Sequence, residues 1–169
     1  KVRRIPAVIY YDGKFNLHMT VLVALSRLGY SPDDVKVVPG QRLEVSDDMV
    51  IPLDDKSFLM VNYPGKWGRT FRHYSYVDVI QSYLAPFTGQ QPTLDLTELK
   101  DAVCFVGFTA TASPDAHPSP TEPLYHGIGV HTSVYNSIMN KAFLWRLDPW
   151  RNMLILALMV LLTAFLVSK

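Results

Sequence analysis

The C-terminal residues 152–168 constrain the chain most, because they contain no charged side chain and consist almost entirely of Leu, Met, Ala, Val, Ile and Phe. As an α-helix they would extend about 25 Å, just under the roughly 30 Å of bilayer hydrocarbon. A buried amphipathic helix has a polar stripe, whereas residues 154–162 are apolar on every face. A hydrophobic core helix is the alternative, but a domain of this size seldom has room to enclose one. The segment therefore predicts a transmembrane helix.

The residues on either side of this segment fit a membrane boundary. Trp145-Arg146 and Trp150-Arg151 bracket Asp148-Pro149, which places aromatic rings and charged side chains at the expected headgroup level. The orientation is weakly determined, since two arginines precede the segment and only Lys169 follows it. The bilayer is thus one expected partner, and the predicted anchor residues are Trp145, Trp150, Arg151, Leu156, Leu161 and Phe165.

The composition of the whole chain excludes several other classes. Its 169 residues are 49% hydrophobic, with 16 basic and 15 acidic side chains, so a disordered chain is not expected. The basic residues are scattered beside acids, which argues against a nucleic-acid partner. The single cysteine, Cys104, excludes an internal disulfide. The chain starts at Lys1 without a signal-peptide core, so either it is processed or its start is missing.

Apolar periodicity and turn residues predict an α/β domain with a mixed sheet and packed helices over residues 1–145, followed by a transmembrane helix with its flank over residues 146–169. Strands are predicted at residues 5–11, 35–38, 42–45, 49–53, 58–62 and 102–108. The last of these is a continuous apolar run, which is typical of a strand buried on both faces, with Cys104 in the core. Helices are predicted at residues 17–28, capped by Asn16 and Gly29, at residues 77–84, capped by Ser75, and at residues 130–143; loops are predicted at residues 64–69, 86–92 and 112–123.

Titratable residues concentrate around the predicted loop at residues 112–123, which contains four prolines. Two imidazoles and a carboxylate could bind zinc, but no spacing here forces the donors together. The histidines could instead sense pH, or fasten the loop to the sheet through their ring nitrogens. Ser119 near His117 lacks an identifiable third group for nucleophilic catalysis, and Gly127-Ile128-Gly129 is too short for a dinucleotide fingerprint. We therefore expect no enzyme and no cofactor. The cluster comprises Asp115, His117, Glu122, His126 and His131.

A second group of residues, Trp67, Arg69, Arg72 and His73, combines positive charge with aromatic rings. Such a loop could contact an anionic ligand, although a solvated surface loop is the commoner explanation.

Three motifs in order, GFT at 107–109, DAHPSP at 115–120 and GIGVHT at 127–132, resemble the CHASE2 domain. That family carries a strand ending in glycine, a D-x-H-P-[TS]-P loop, a G-V-E-[IV]-H-A helix start and an apolar helix leading to membrane spans. Residues 51–54, 58–63 and 71–80 resemble its central strands and following helix. The resemblance implies an extracytoplasmic sensory domain, periplasmic or at the cell surface, that binds a small ligand of unknown identity and couples to the membrane helix. The expected ligand-facing residues are Asp115, His117, His126, His131, Arg69 and Arg72.

The sequence departs from this pattern in two ways. Gly129 stands where the family usually has an acid, so any role of that acid is in doubt. A complete domain of this kind would also begin with a membrane span and a βα half upstream of Lys1. We therefore expect another polypeptide to complete the fold, with the predicted strand at residues 5–11 as the edge to examine. The alternative function is an accessory or structural subunit of a membrane complex that uses the fold as a docking surface.

Overall fold

The computed structural model describes residues 1–110 and 115–168. It confirms the α/β class and the apolar C-terminal helix, and its strands form small antiparallel sheets. The strands are β1 (Arg4–Pro6), β2 (Val8–Tyr11), β3 (Lys14–Leu17), β4 (Lys36–Val38), β5 (Arg42–Ser46), β6 (Met49–Pro52), β7 (Phe58–Met60), β8 (Ala116–His117) and β9 (Tyr125–His126). The α-helices are α1 (Met19–Arg27), α2 (Trp67–Thr70), α3 (Tyr76–Thr88), α4 (Gly127–Met139) and α5 (Pro149–Val167).

The largest sheet is the meander β4-β5-β6, at the three predicted strands that are separated by turn residues. Leu43 of β5 pairs with Ile51 of β6, and both side chains are fully buried. Alternate residues Leu43 and Val45 face the core while their neighbours are half-buried, as expected for a sheet with one covered face.

The predicted strand at residues 5–11 is divided in two at Ala7. The first part, β1, pairs with β7, and the second part, β2, forms a hairpin with β3 through Asp12-Gly13, where both residues have positive φ. Ala7 is fully buried; its amide donates to the Ser57 carbonyl at 3.3 Å, and its carbonyl accepts from the His18 amide at 2.9 Å. Each part therefore has an antiparallel strand partner along one edge, while its other edge pairs with no further strand of the described residues.

Helix α1 begins two residues later than predicted, with His18 rather than Asn16 as its N-cap. His18 Nδ1 accepts a hydrogen bond from the Thr20 amide at 3.2 Å. Gly29 ends the helix as predicted: it has a φ of 83°, its amide reaches Ser26 and the Tyr30 amide reaches Leu25, which is a Schellman motif.

Helix α3 is capped by Ser75 as predicted, but it continues through Pro86 to Thr88, so the predicted loop at residues 86–92 starts too early. The short helix α2 lies within the predicted loop at residues 64–69. Helix α4 spans Gly127–Met139, so both its start and its end lie earlier in the chain than in the predicted helix at residues 130–143.

The core lies between α1, α4 and the sheets. Val21 and Leu25 of α1 and Val134 and Ile138 of α4 are fully buried, in accord with their spacing of four residues. Helix α4 is therefore held tightly in the body of the protein.

The strand predicted at residues 102–108 is wrong. These residues belong to no helix or strand, and Cys104 is exposed rather than in the core. A strand buried on both faces requires neighbouring strands and a covering layer, and the described part of the chain supplies neither on the outer side of this segment.

Helix α5 begins at Pro149 directly after Asp148, and none of its residues is buried. It is long and apolar enough to cross a membrane, with Leu156, Leu161 and Phe165 exposed along it. Trp145 precedes the helix, whereas Trp150 and Arg151 lie in its first turn.

Candidate functional site

Three of the predicted ligand-facing residues, Asp115, His126 and His131, meet at the N-terminal end of α4, which we call the junction. The Gly127 amide donates to the Asp115 carbonyl at 2.7 Å, so the chain returns to α4 beside Asp115. A Cβ at position 127 would overlap the Asp115 carboxylate, which therefore requires glycine there. The positive end of a helix dipole favours a carboxylate at this place.

Ser119 stabilises the loop that leads into the junction. It is buried, its Oγ accepts from the Thr121 and Glu122 amides at 3.2 and 3.0 Å, and it donates to the Glu122 carbonyl at 3.1 Å. These bonds are those of a turn. These bonds give Ser119 a structural role as a turn former.

Trp67 packs against the junction from α2. Its amide donates to Glu122 Oε1 at 2.7 Å. Its ring lies 4.1 Å from the His73 ring and 5.7 Å from the His126 ring, measured between centroids. A Cβ at position 129 would lie 2.5 Å from Trp67 Cε3 and 2.6 Å from Tyr125 Cε1. Gly129, which replaces the acid of the family pattern, therefore allows α4 to contact these two rings closely.

His126 and His73 are the imidazoles on this side of the junction. The Nδ1 atom of His126 is buried and has no hydrogen-bond partner among the described residues. Burial, and then the proximity of His126, lower the pKa of His73. The neutral form of His73 is therefore favoured beside Trp67.

On the other side of the junction, His131 stacks on His18, with 5.2 Å between ring centroids. His131 Nδ1 lies 3.1 Å from Thr20 Oγ1. Burial lowers the pKa of His131, while Asp115 acts in the opposite direction; burial and then His131 lower the pKa of His18. The pair thus links the start of α4 to the start of α1 with both rings biased towards the neutral form.

A cleft of about 770 Å³ lies next to the junction. Its lining includes Arg72, His73 and Tyr76, residues 102–107, and Ile128 of α4. Arg72 pairs with Glu98 at 2.7 Å across the exposed rim. Polar and apolar groups thus share its lining, and charge lies at its edge.

The structure brings together only some of the predicted site residues. Asp115, His126 and His131 surround the start of α4, and Arg72 lines the cleft. His117 and Arg69 are exposed at the surface.

Sequence reasoning did not assign His18, Thr20 or Tyr125 to the site. His18 lies far from His131 along the chain, and only the packing of α1 on α4 brings the two rings together. Within residues 1–110 and 115–168, no three His, Cys, Asp or Glu side chains gather as a metal site requires.

Comparison with known families agrees with the motifs at residues 107–109, 115–120 and 127–132. The family model described as the CHASE2 domain matches residues 1–165. The chain belongs to the CHASE2 family. CHASE2 is an extracytoplasmic sensory domain, and the match extends from β1 into α5. No curated protein and no solved structure matches the chain.

Proposed function

We propose that this CHASE2 domain is anchored in the membrane by α5 and transmits a signal from the junction to that helix without catalysing a reaction. The observation that carries the proposal is the order of parts along one short stretch of chain. The junction lies at the start of α4, α4 crosses the core, and residues 140–148 lead directly into α5.

Membrane anchoring is supported by the surface of α5. Its residues from 152 onwards are uncharged, and its large side chains are exposed, which in water would be a costly arrangement. In its first turn the Arg151 guanidinium lies 5.5 Å from the Trp150 ring and 3.4 Å from Asp148. Such residues suit the headgroup region, while the apolar residues beyond suit hydrocarbon.

Coupling is supported by the way α4 is held. Its start depends on contacts with Asp115, Trp67 and His18, and its end is tied to the body by the bond from Asn62 Nδ2 to the Ala142 carbonyl at 3.0 Å. A ligand that favours one arrangement of the junction would shift the population of α4 positions. The expected ligand-facing residues remain those named from the sequence, and the ligand is a small molecule of unknown identity.

The test uses cysteine accessibility in cells that produce the full chain. Cys104 is first changed to Ser; one variant then carries Asp47→Cys, in the exposed turn between β5 and β6, and the matched variant carries Ser168→Cys at the end of α5. We expect a membrane-impermeant maleimide to label the first variant in intact cells and the second only after permeabilisation.

A companion measurement is carbonate extraction. The wild-type chain should stay with the membrane, whereas Leu156→Arg together with Leu161→Arg should release it, because each exchange costs about 3 kcal/mol of insertion free energy near the helix centre. Replacing both residues by Met is the matched control. Extraction of the wild-type chain by carbonate, or equal labelling of both cysteine variants in intact cells, would refute the proposal.

A further inference from the structure

Residues 102–110 run in an extended path beside α4 with only one face covered. Phe105 packs edge-on against Tyr135 with ring centroids 5.6 Å apart, and a Cβ at Gly107 would lie 2.9 Å from Ile128 Cβ. The residues between and beyond them face outwards: Val106 is 72% exposed and Phe108 is 83% exposed. This alternation is that of a β-strand, although no strand pairs with it.

The main chain of this segment is also unpaired. Among the described residues, no hydrogen bond involves a backbone group of residues 103–110. The eight residues 103–110 carry no charge, and their free amides and carbonyls are a template on which another strand can pair.

Helix α3 carries a second uncovered apolar surface. Tyr76, Ile80, Tyr83 and Phe87 recur at spacings of four, three and four, so they lie on one face. Their exposures are 64, 40, 62 and 78%, whereas the helix buries only Ser82 and Ala85. A helix that packed on nothing would not carry such a stripe in water.

The cleft connects these two surfaces, because Tyr76 at the start of α3 and residues 102–107 both line it. The four exposed aromatic side chains on the two surfaces, Tyr76, Tyr83, Phe87 and Phe108, bury about 150–250 Å² each when fully covered, and at their exposed fractions of 62–83% they present roughly 600 Å² in all. This is at the upper end of the largest apolar patch on a typical monomer and somewhat less than the roughly 800 Å² that one partner contributes to a standard interface.

We propose that a second, different polypeptide adds a β-strand along residues 102–108, occupies the cleft and covers the apolar stripe of α3. This segment is the acceptor edge, because residues 103–110 have no backbone partner among the described residues, whereas β1 and β2 each already have one antiparallel strand partner. The proposal does not depend on the signalling role of the junction.

Three features favour this occupant. Lipid chains and small apolar molecules cannot satisfy the free amides and carbonyls of residues 103–110, whereas a β-strand can. A second copy of the chain that paired edge to edge would leave Val106 and Phe108 uncovered in both copies. A polypeptide that brings both a strand and an apolar covering element meets all the requirements.

The experiment measures the rate of maleimide labelling of Cys104, which is the only cysteine and lies in the acceptor segment. The wild-type chain is labelled in washed native membranes and, for comparison, as the purified chain in detergent micelles. We expect at least a tenfold slower reaction in native membranes, together with slow amide hydrogen exchange over residues 103–108.

Matched variants separate strand pairing from simple coverage. Val106→Pro removes an amide donor that is unpaired in the isolated chain, so the urea midpoint of the purified protein should not change, while Cys104 should lose its protection in membranes. Val106→Thr keeps the amide and should keep the protection. If Val106→Pro lowers the urea midpoint, the test rests instead on amide hydrogen exchange over residues 103–108 of the wild-type chain.

The other occupants give different results, each of which would overturn the proposal. Protection that appears on raising the concentration of the purified chain would indicate a second copy. Protection by protein-free vesicles of phosphatidylethanolamine and phosphatidylglycerol would indicate lipid. Equal labelling and fast exchange in all samples would show that the segment has no partner.

Discussion

Gly129 offers the sharpest test of the packing at the junction. Replacing it with Ala places a Cβ 2.5 Å from Trp67 Cε3 and 2.6 Å from Tyr125 Cε1, distances that real Cβ atoms do not tolerate. Tyr125 is fully buried and cannot move outwards, so Trp67 must shift or α4 must tilt.

The magnitude follows from two opposing contributions. Overpacking a well-filled site costs about 1–3 kcal/mol. Replacing a helical glycine by alanine returns about 0.5–1 kcal/mol through lower backbone entropy in the unfolded chain. We therefore expect Gly129→Ala to lower the free energy of unfolding by about 1–2 kcal/mol.

The assay is urea unfolding of the full chain in detergent micelles, followed by near-UV circular dichroism. A loss of 2 kcal/mol should lower the urea midpoint by about 1 M. Gly68→Ala is the matched control, because position 68 is also helical and a Cβ there meets nothing within 4 Å. This control should be neutral or slightly stabilising.

A double variant identifies the contact responsible. Combining Gly129→Ala with Trp67→Leu should cost less than the sum of the single changes, with a coupling of about 1 kcal/mol. Equal midpoints for Gly129→Ala and Gly68→Ala would refute the close approach of α4 to Trp67.

Three further predictions concern stability. Because burial lowers the pKa of His131, the unfolded chain binds the proton more readily than the folded chain. The contribution of His131 to stability should therefore be full above about pH 6.5, fall as the pH decreases, and level off below the pKa of the folded state. A pH series of urea midpoints should be flatter for His131→Gln. Burial acts to raise the pKa of Asp54, but hydrogen bonds from the Phe58 amide and Arg4 outweigh it and hold this pKa below its usual range. Asp54→Asn should lower the free energy of unfolding by about 1–3 kcal/mol at pH 7, and by less as the pH falls below 4, in the same assay. Lys141, just after the end of α4, has a φ of 51°, which favours glycine. Lys141→Gly should therefore raise the free energy of unfolding by up to about 1 kcal/mol, and with it the melting temperature, whereas Lys141→Ala should raise neither.

Those parts of the fold that depend on neighbouring residues could be predicted from the sequence. Gly29 ends α1 and Ser75 starts α3 because capping uses backbone groups within one turn. The meander β4-β5-β6 follows from turn residues between short apolar runs. The continuous apolar residues 154–162 likewise indicated α5.

Features that depend on distant partners could not be predicted in this way. Residues 102–108 have a strand's composition, but strand formation needs a neighbour, and the described chain offers none. The N-cap of α1 is His18 and not the predicted Asn16, because β3 continues to Leu17, which pairs with Val8. Composition alone cannot indicate where such pairing ends.

The candidate site shows the same division. Asp115 and His131 were singled out because they flank one loop and the helix that follows it, and the structure places both at the junction. Their partners His18 and Thr20 come from α1, and only tertiary packing reveals them. The lowered pKa of His131 likewise depends on burial that the sequence does not display.

The connection between α4 and α5 limits what movement can reach the bilayer. Residues 142–148 have no regular structure, and Pro149 opens α5 with a fresh helical start. Such a tether, without regular structure, transmits tension along its length but dissipates twist about its axis. Under the function proposed above, a signal would therefore reach α5 as a displacement along the tether rather than as a rotation, and inserting one residue into the tether should matter far less than it would in a continuous helical stalk.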